Sequence, residues 1–270
     1  MLRRPGGELA SRPLLFFWLA DCSGSMARDG KIQALNTAAR EALPHMREVA
    51  AGNPHARPLL RVMRFATGAE WVTPGSVLID EFSWPELEAG GVTDLGAALE
   101  LLAGELSSPA MPERALPPVL VLVSDGQPTD NFETGLAALD AVPWGSKAVR
   151  LGIAIGRDAD HDVLARFVAD PTVPILEANA PEALVRQMRW ASTIGLASAS
   201  SPTFSSEIGG NEGRSRPSVL PDCPRALAGL PSESPQTATA TGGPGTSPSE
   251  TGSADGSVLA GSQPDEIEIW

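Results

Sequence analysis

Cysteine and lysine are both scarce in this sequence of 270 residues. Its two cysteines, Cys22 and Cys223, are too few for a disulfide framework, which indicates a reducing compartment. Its two lysines, Lys31 and Lys147, belong to a total of only 20 basic residues against 33 acidic ones, and the formal net charge is −13. Because an acidic chain repels nucleic acid and anionic membrane surfaces, we expect neither as a partner.

Long apolar runs are also missing, since no stretch approaches the roughly 20 apolar residues of a membrane span. The apolar run at 14–20, which follows Arg3 and Arg4, resembles the core of a signal peptide. That run is short for this purpose, and Asp21 occupies the position where a lipoprotein cleavage site requires a small residue. We therefore expect a cytoplasmic protein without a membrane segment.

The last quarter of the chain is poor in apolar residues. Ser, Pro, Gly and Thr occupy 37 of the 70 positions in 201–270, and such a composition has too little apolar surface to offset the entropy of ordering. We predict an N-terminal extension at 1–12, one domain at 13–195 and a disordered tail at 196–270. The tail ends in an apolar and acidic peptide at 264–270, for which two interpretations stay open: a strand that adds to a partner's sheet edge, or a solvated end without a role.

Near-continuous apolar runs predict buried parallel strands, because helices then cover both faces of the sheet. These runs are 14–20, 119–123 and 148–155. A fourth run, at 59–66, is interrupted by Arg61 and Arg64, which favours a position nearer a sheet edge. The remaining predicted strands are short: 70–72 and 77–79, which suit an antiparallel strand, and 173–176.

Apolar residues at helical spacing lie between the strands. The predicted helices are 32–49, 95–106, 132–139, 159–168 and 181–190. Pro44 interrupts the first of them, so we expect a kink or a break near Leu43. The alternation of strands and helices predicts an α/β fold with a doubly wound, mostly parallel central sheet and helices on both faces.

Two of the predicted strands end in acids that are accompanied by small polar residues. The first strand is followed by Asp21, Ser23 and Ser25, and another by Ser124 and Asp125. Ligands of open α/β sheets collect beyond the carboxyl ends of the strands, so we expect these side chains to lie close together. Carboxylates and hydroxyls suit a hard cation such as Mg²⁺, which takes about six oxygens.

Asp-x-Ser-x-Ser at the end of an apolar strand resembles the metal-ion-dependent adhesion site of von Willebrand factor type A domains. That family completes the site with a threonine in a mid-chain loop, matched by Thr93, and with an aspartate after a later strand, matched by Asp125. The resemblance covers roughly residues 13–195 and implies direct metal contact by Ser23, Ser25 and Thr93. It implies contact through water by Asp21 and Asp125, with Mg²⁺ as the expected cofactor and Mn²⁺ as a substitute.

Within this family, the segments 91–99 and 125–130 resemble bacterial TerY-type proteins of tellurite-resistance and stress systems. The resemblance implies a protein kinase and a metal-dependent (PPM-type) protein phosphatase as partners. One departure is visible, because some TerY relatives carry a cysteine-rich C-terminal module and the tail of this chain has only Cys223. A structural zinc in the tail is therefore not expected.

The expected function is that of an interaction module rather than an enzyme. A partner's Asp or Glu would complete the coordination of the metal, which requires no catalytic step. The alternative is a Mg²⁺-dependent, phosphatase-like hydrolase that uses the same strand ends. We expect no histidine near the motifs and no lysine close by, and no phosphate-binding Gly-x-x-x-x-Gly-Lys loop occurs, which argues against that alternative.

Two acidic positions near the motifs each allow two interpretations. Asp94 either adds negative charge beside the metal or starts the following helix with a favourable acid. The segment 157–160 forms either a loop and helix start or part of the surface around the metal. We also expect replacement of Asp21 or Asp125 by alanine to abolish Mg²⁺ binding and leave the fold intact, because both residues are predicted at the rim of the sheet.

Overall fold

The computed structural model describes residues 11–107, 111–112 and 114–200, with side chains described up to residue 197. The predicted tail from residue 201 onward, including the peptide at 264–270, lies outside the described residues, and so do residues 1–10 of the predicted N-terminal extension. Among the helices that are described, none combines the length and the apolar character that crossing a membrane would require.

The apolar runs of the sequence form the strands of one seven-stranded sheet. In chain order the strands are β1 (Arg12–Asp21), β2 (Ala56–Ala66), β3 (Gly68–Trp71), β4 (Val77–Leu78), β5 (Val119–Ser124), β6 (Val149–Ile155) and β7 (Leu176–Ala178). The order across the sheet is β3-β2-β1-β5-β6-β7, and β4 pairs with β2. Strands β1, β2, β5, β6 and β7 are parallel, whereas β3 and β4 run antiparallel to β2.

The described part of the chain contains six α-helices, five between strands and one after the last strand. They are α1 (Lys31–Ala51), α2 (Leu95–Leu106), α3 (Phe132–Ala141), α4 (Pro143–Ser146), α5 (His161–Val168) and α6 (Pro181–Ser200), and a 3-10 helix at Gly24–Gly30 precedes α1. The predicted fold class, a doubly wound and mostly parallel α/β sheet, is confirmed.

Strand β1 shows why its sequence is apolar at every position. Successive side chains of a strand point to opposite faces. Phe16 and Trp18 pack on the face that α1 and α6 cover, and Phe17 and Leu19 pack on the face that α2, α3 and α5 cover. All four side chains are at most 2% exposed, and burial of each stabilises the fold by about 1.5–3 kcal/mol.

Helix α1 continues through Pro44, and the break expected near Leu43 does not occur. Pro44 lies on the exposed side of the helix, whereas its neighbours Leu43 and Met46 are buried. Proline has no N–H, so the carbonyl four residues earlier receives no hydrogen bond within the helix. On the solvent side that carbonyl can bind water instead, and packing of the buried face keeps the helix in place. Tertiary packing therefore outweighs the local preference of proline.

Helix α6 continues to Ser200, ten residues beyond the predicted end at 190 and into the segment 196–270 that was predicted as tail, where Leu196 is 1% exposed. The other differences from the predicted elements are small. Strand β7 begins at Leu176, where the predicted strand 173–176 ended, and β3 begins two residues before the predicted segment 70–72. The 3-10 helix and the four-residue α4 were not predicted, because elements of this length contain too few residues to show a helical period.

The strand order creates a crevice at the carboxyl ends of β1 and β5. From β1 the chain first builds β2 on one side and later returns to build β5 on the other side. The connections therefore leave the sheet in opposite directions at this point, which is where open α/β sheets bind ligands. In the β1–β5 register Ala20 pairs with Val123, so the next residues, Asp21 and Ser124, are neighbours across the two strands.

Candidate metal centre

Asp21 is held in a fixed orientation at the end of β1. Its Oδ2 accepts a hydrogen bond from the Ser124 hydroxyl at 2.5 Å, and its Oδ1 accepts one from the backbone N–H of Ser23 at 2.8 Å. The residue is fully buried. Burial raises the pKa of Asp21 although these hydrogen bonds oppose the shift, and the negative charge of Asp125 adds to the rise. A positive charge at this place would therefore stabilise the ionised carboxylate.

The two serines link Asp21 to Asp125. The hydroxyl oxygens of Ser23 and Ser25 lie 2.9 Å apart, and the Ser25 hydroxyl donates to Asp125 Oδ1 at 2.7 Å. Both serines stand where β1 turns into the 3-10 helix, which directs their side chains back toward the end of β5. Asp125 is itself only 2% exposed. Carboxylates and hydroxyls from two separate segments thus meet at one edge of the sheet.

Thr93 joins these residues from the loop that precedes α2. This loop is bound to the β1 turn by hydrogen bonds from Gly90 N–H to the Cys22 carbonyl at 2.7 Å and from Gly24 N–H to the Gly91 carbonyl at 3.0 Å. Thr93 is 6% exposed. The side chains of Thr93 and Asp21 both lie next to Gly126. A Cβ atom added to Gly126 would be 3.3 Å from Thr93 Oγ1 and 3.6 Å from Asp21 Oδ2. The threonine hydroxyl and the aspartate carboxylate therefore flank the same space.

Hydrogen bonds of Thr129 and of two acids, Asp94 and Asp130, hold the loops around this space together. Thr93 N–H donates to Thr129 Oγ1 at 3.0 Å, and Thr129 N–H donates to the Thr93 carbonyl at 2.8 Å. Asp94 accepts from Gly68 N–H at 2.8 Å and from the Thr129 hydroxyl at 3.1 Å, and it makes no side-chain cap on its own helix. Asp130 instead accepts from the first-turn N–H groups of α2, at 2.7 and 2.8 Å.

Asp94 therefore acts in a way that neither sequence interpretation described, because its carboxylate ties the turn between β2 and β3 to the loop after β5. At 157–160 the structure shows the predicted loop and helix start, and the interpretation as part of the surface around the metal stays a prediction. Asp160 caps α5 by accepting from two backbone N–H groups at 3.1 Å, which confirms the predicted helix start. Asp158 instead faces Lys31.

Lys31 is the main residue that the sequence analysis missed, and the statement that no lysine stands close to the motifs is wrong in space. Its Nζ donates to Asp125 Oδ2 at 2.8 Å and to Asp158 Oδ1 at 3.1 Å. The residue is 3% exposed. A signal was present, because Lys31, Leu35, Ala38 and Ala42 follow helical spacing on the buried face of α1. A lysine on such a face is almost always paired with an acid.

Asp21 and Asp125 are also less peripheral than expected. Both lie at the rim of the sheet, as predicted, but the loops and hydrogen bonds around them leave them 0% and 2% exposed. The expectation that alanine at either position leaves the fold unaffected is therefore not supported, since such a change removes partners from buried polar groups.

The chemistry of this donor set fits a small hard cation. Across the described part of the chain, no three His, Cys, Asp or Glu side chains gather as a metal-binding group. An ion between Asp21 and Asp125 would thus depend on hydroxyl oxygens as well, and Mg²⁺ accepts such ligands together with water. The structure brings all five predicted ligands to one edge of the sheet: Asp21, Ser23, Ser25, Thr93 and Asp125. Their role as ligands stays a prediction.

Comparisons with known proteins give a clear result at the level of structure alone. No protein-family model and no curated protein matches the sequence. A von Willebrand factor type A protein from Catenulispora acidiphila is similar in structure, with a TM-score of 0.52 at 16% identity, over 69% of this chain and 43% of that one. The ArnB paralog VWA2 from Sulfolobus acidocaldarius has a TM-score of 0.50 at 16% identity, over 66% and 45% of the two chains.

A third similar structure is proximal thread matrix protein 1 from the mussel byssus, whose description records a zinc-occupied metal-ion-dependent adhesion site (MIDAS) motif. Its TM-score is 0.52 at 14% identity, over 68% of this chain and 48% of that one. The present chain thus spans less than half the length of each of these three proteins. The strand order, the two helical layers and these similarities together show that the chain has the fold of von Willebrand factor type A domains.

Proposed function

We propose that this protein is a metal-dependent protein interaction module with Mg²⁺ as its metal and Mn²⁺ as a substitute. The observation that carries the proposal is the convergence of buried carboxylates and hydroxyls from three separate segments at one edge of the sheet. Ser23, Ser25 and Thr93 would hold the ion directly, and Asp21 and Asp125 would hold it through water. The bound ion would supply a positive charge that attracts a partner's Asp or Glu carboxylate.

The surroundings of the candidate site support binding of a protein. Val92, next to Thr93, is 45% exposed and is the large apolar side chain that stands out as exposed among the described residues. An exposed apolar residue beside a polar site gives a partner a contact that excludes water from the central interaction. Because the chain carries a net charge of −13, a partner carboxylate would be repelled by most of the chain. The metal would thus define where such a group binds.

The alternative of a Mg²⁺-dependent hydrolase finds less support. Lys31 is a basic group beside the site, and a general base must be able to lose its proton near neutral pH. Burial opposes the charge of Lys31, but hydrogen bonds to Asp125 and Asp158 outweigh this effect and raise its pKa above the ordinary value. Lys31 therefore stays protonated and acts as a fixed charge. We propose that the protein acts by binding and not by catalysis.

The cellular setting is a finer proposal that depends on the segments 91–99 and 125–130. Their resemblance to TerY-type proteins supports a role in a bacterial stress or phospho-signalling system in the cytoplasm. The proposed partners are a protein kinase and a PPM-type phosphatase, each offering a surface acid to the metal. Neither nucleic acid nor a membrane is proposed as a partner, in agreement with the acidic net charge.

The test measures Mg²⁺ and Mn²⁺ binding by calorimetry, and then capture of the purified candidate kinase and phosphatase in Mg²⁺ or in EDTA. Thr93→Ala removes a proposed ligand, and Thr73→Ala is the matched control, because Thr73 is also buried but binds the backbone of β2. We expect loss of metal binding and capture in Thr93→Ala alone. Absence of Mg²⁺ and Mn²⁺ binding by the unaltered chain would contradict the proposal. Mg²⁺-dependent cleavage of generic phosphoesters would favour the hydrolase instead.

A further inference from the structure

Lys31 stands where two rules of protein electrostatics disfavour a lysine. It is the first residue of α1, and the N-terminus of a helix carries a partial positive charge that repels cations. Its side chain is also buried at 4% exposure, which removes the ammonium from water. A residue that is unfavourable in two ways persists where the surrounding structure requires its charge.

The structure around the ammonium is built to hold it. Asp125 Oδ2 lies 2.8 Å from Lys31 Nζ on one side, and Asp158 Oδ1 lies 3.1 Å away on the other. The turn after β6 closes over the side chain at Gly156, which has φ +83°. A Cβ on Gly156 would lie 3.0 Å from both Cε and Nζ of Lys31 and 2.9 Å from Asp158 Oδ1. The positive φ favours glycine there, and the missing Cβ also leaves room for the end of the lysine side chain.

The two carboxylate oxygens of Asp125 have different hydrogen-bond partners. Oδ2 is bound by the ammonium, and Oδ1 accepts from the Ser25 hydroxyl at 2.7 Å. The carboxylate is therefore fixed in orientation with one oxygen facing the candidate ligands. At the same time the positive charge of Lys31 offsets one of the two negative charges of Asp21 and Asp125.

We propose that Lys31 is a built-in counter-charge of the metal centre, held in place by Asp125 and Asp158. Its positive charge offsets part of the negative charge of the acids around it, so that a bound divalent ion keeps more of its attraction for an anionic partner ligand. This inference rests on the proposed function. It predicts opposite effects on two affinities, because removing the lysine charge strengthens the attraction for the cation and weakens the attraction for a carboxylate. Loss of a purely structural lysine would not change the two affinities in opposite directions.

The experiment uses the full chain with Mg²⁺, Mn²⁺ and acetate as probes. Mg²⁺ affinity is measured by calorimetry, and acetate binding is measured by the fall in water-proton relaxation as acetate replaces water on the Mn²⁺-loaded protein. In Lys31→Met we expect Mg²⁺ to bind at least about tenfold more tightly and acetate at least about tenfold more weakly, from the loss of one charge close to the ion. The matched control is Lys147→Met, which removes the chain's other lysine, an exposed residue at the opposite end of β6; it should leave both affinities unchanged.

Asp158→Asn provides a test with the opposite sign. Asp158 is exposed, with 67% of its side chain accessible, so its replacement does not threaten folding. The change leaves more of the Lys31 charge uncompensated, and we expect acetate to bind about two- to threefold more tightly and Mg²⁺ more weakly, a small effect because an exposed charge is screened.

The outcomes separate this inference from the proposed function. If the unaltered chain binds neither Mg²⁺ nor Mn²⁺, both are overturned. If the unaltered chain binds metal but Lys31→Met leaves both affinities unchanged or lowers both, the inference is overturned and the proposed function stands. If Lys31→Met does not fold, Asp158→Asn decides: tighter acetate binding supports the inference, and unchanged binding overturns it.

Discussion

Replacement of Asp125 by alanine should destabilise the metal-free domain, because it leaves the buried ammonium of Lys31 without its nearest acid. The two charged groups are 2.8 Å apart, and their side chains are 0% and 4% exposed. Removing one partner of a buried ion pair costs about 3–5 kcal/mol. Asp158 remains as a second acid at 3.1 Å, although it is largely exposed, so we expect the lower end of that range, about 3 kcal/mol.

The measurement is urea unfolding in EDTA, so that loss of a metal contributes nothing to the difference. The six tryptophans of the chain, among them the buried Trp18, report the transition by fluorescence. We expect an unchanged dependence on urea, since the same surface is exposed on unfolding, and a midpoint shifted to lower urea. In thermal unfolding the same change should lower Tm by about 6–12 °C for a domain of this size.

A double mutant tests whether the unpaired lysine is the cause. Lys31→Met combined with Asp125→Ala removes both charges, so we expect it to recover at least about half of the lost stability. Asp158→Ala is the control for the exposed acid, and we expect a change within about 1 kcal/mol. The reasoning would be refuted by an Asp125→Ala protein within about 1 kcal/mol of the unaltered one. A double mutant less stable than Asp125→Ala would also refute it.

Three further predictions follow from the site. Ser23→Ala and Thr93→Ala should each weaken Mg²⁺ binding at least about tenfold in calorimetry while lowering the free energy of unfolding by about 1 kcal/mol; a loss of stability without a loss of affinity would contradict their role as ligands. Gly156→Ala should destabilise the domain more than Gly68→Ala in urea, since both have positive φ (+83° and +75°) but only at Gly156 would a Cβ meet other side chains. The metal-free domain should lose stability as pH rises from 3.8 through the raised pKa of Asp21, because the folded state retains a proton that the unfolded chain releases. Asp21→Asn should remove this loss. An unchanged pH profile in that variant would contradict the assignment of the loss to Asp21.

The fold could be predicted from the sequence because a strand that is buried on both faces is apolar at successive positions. Strand β1 is apolar at successive positions, and only a strand covered by helices on both sides requires this. Helix α2 was predicted with the bounds that the structure shows, 95–106, since its apolar residues keep a helical spacing throughout. Pro44 was misjudged because the sequence alone does not show that it lies on the solvent side of α1.

The candidate site was accessible only in part. Asp21 and Asp125 follow two apolar strands, and the carboxyl ends of parallel strands meet at one edge, so their proximity follows from the sequence pattern. Thr93 lies in a loop of no regular structure, and only the resemblance to a known family placed it there. Ser124 was seen in the motif, but its hydrogen bond to Asp21 depends on the register of β1 and β5, which spacing along one chain does not determine.

Buried charge by itself does not identify a functional site in this molecule, and Arg150 shows why. Arg150 is 3% exposed at the start of β6, and it donates to Asp140 and to the carbonyls of Gly145 and Phe167. The Asp140 carboxylate and the two carbonyls pair with the buried guanidinium, so its burial is explained by structural pairing within the domain.

The edge at β1 and β5 is different, because its charges do not balance. Two buried carboxylates, Asp21 and Asp125, face one buried ammonium, that of Lys31. The pKa of Asp21 is raised in the metal-free chain, mainly because the carboxyl is buried and to a smaller extent because Asp125 is negatively charged. A divalent cation would replace that proton and supply positive charge that this edge lacks. The excess is therefore better evidence for a cation site than the number of acids, and Lys31 sets how large it is.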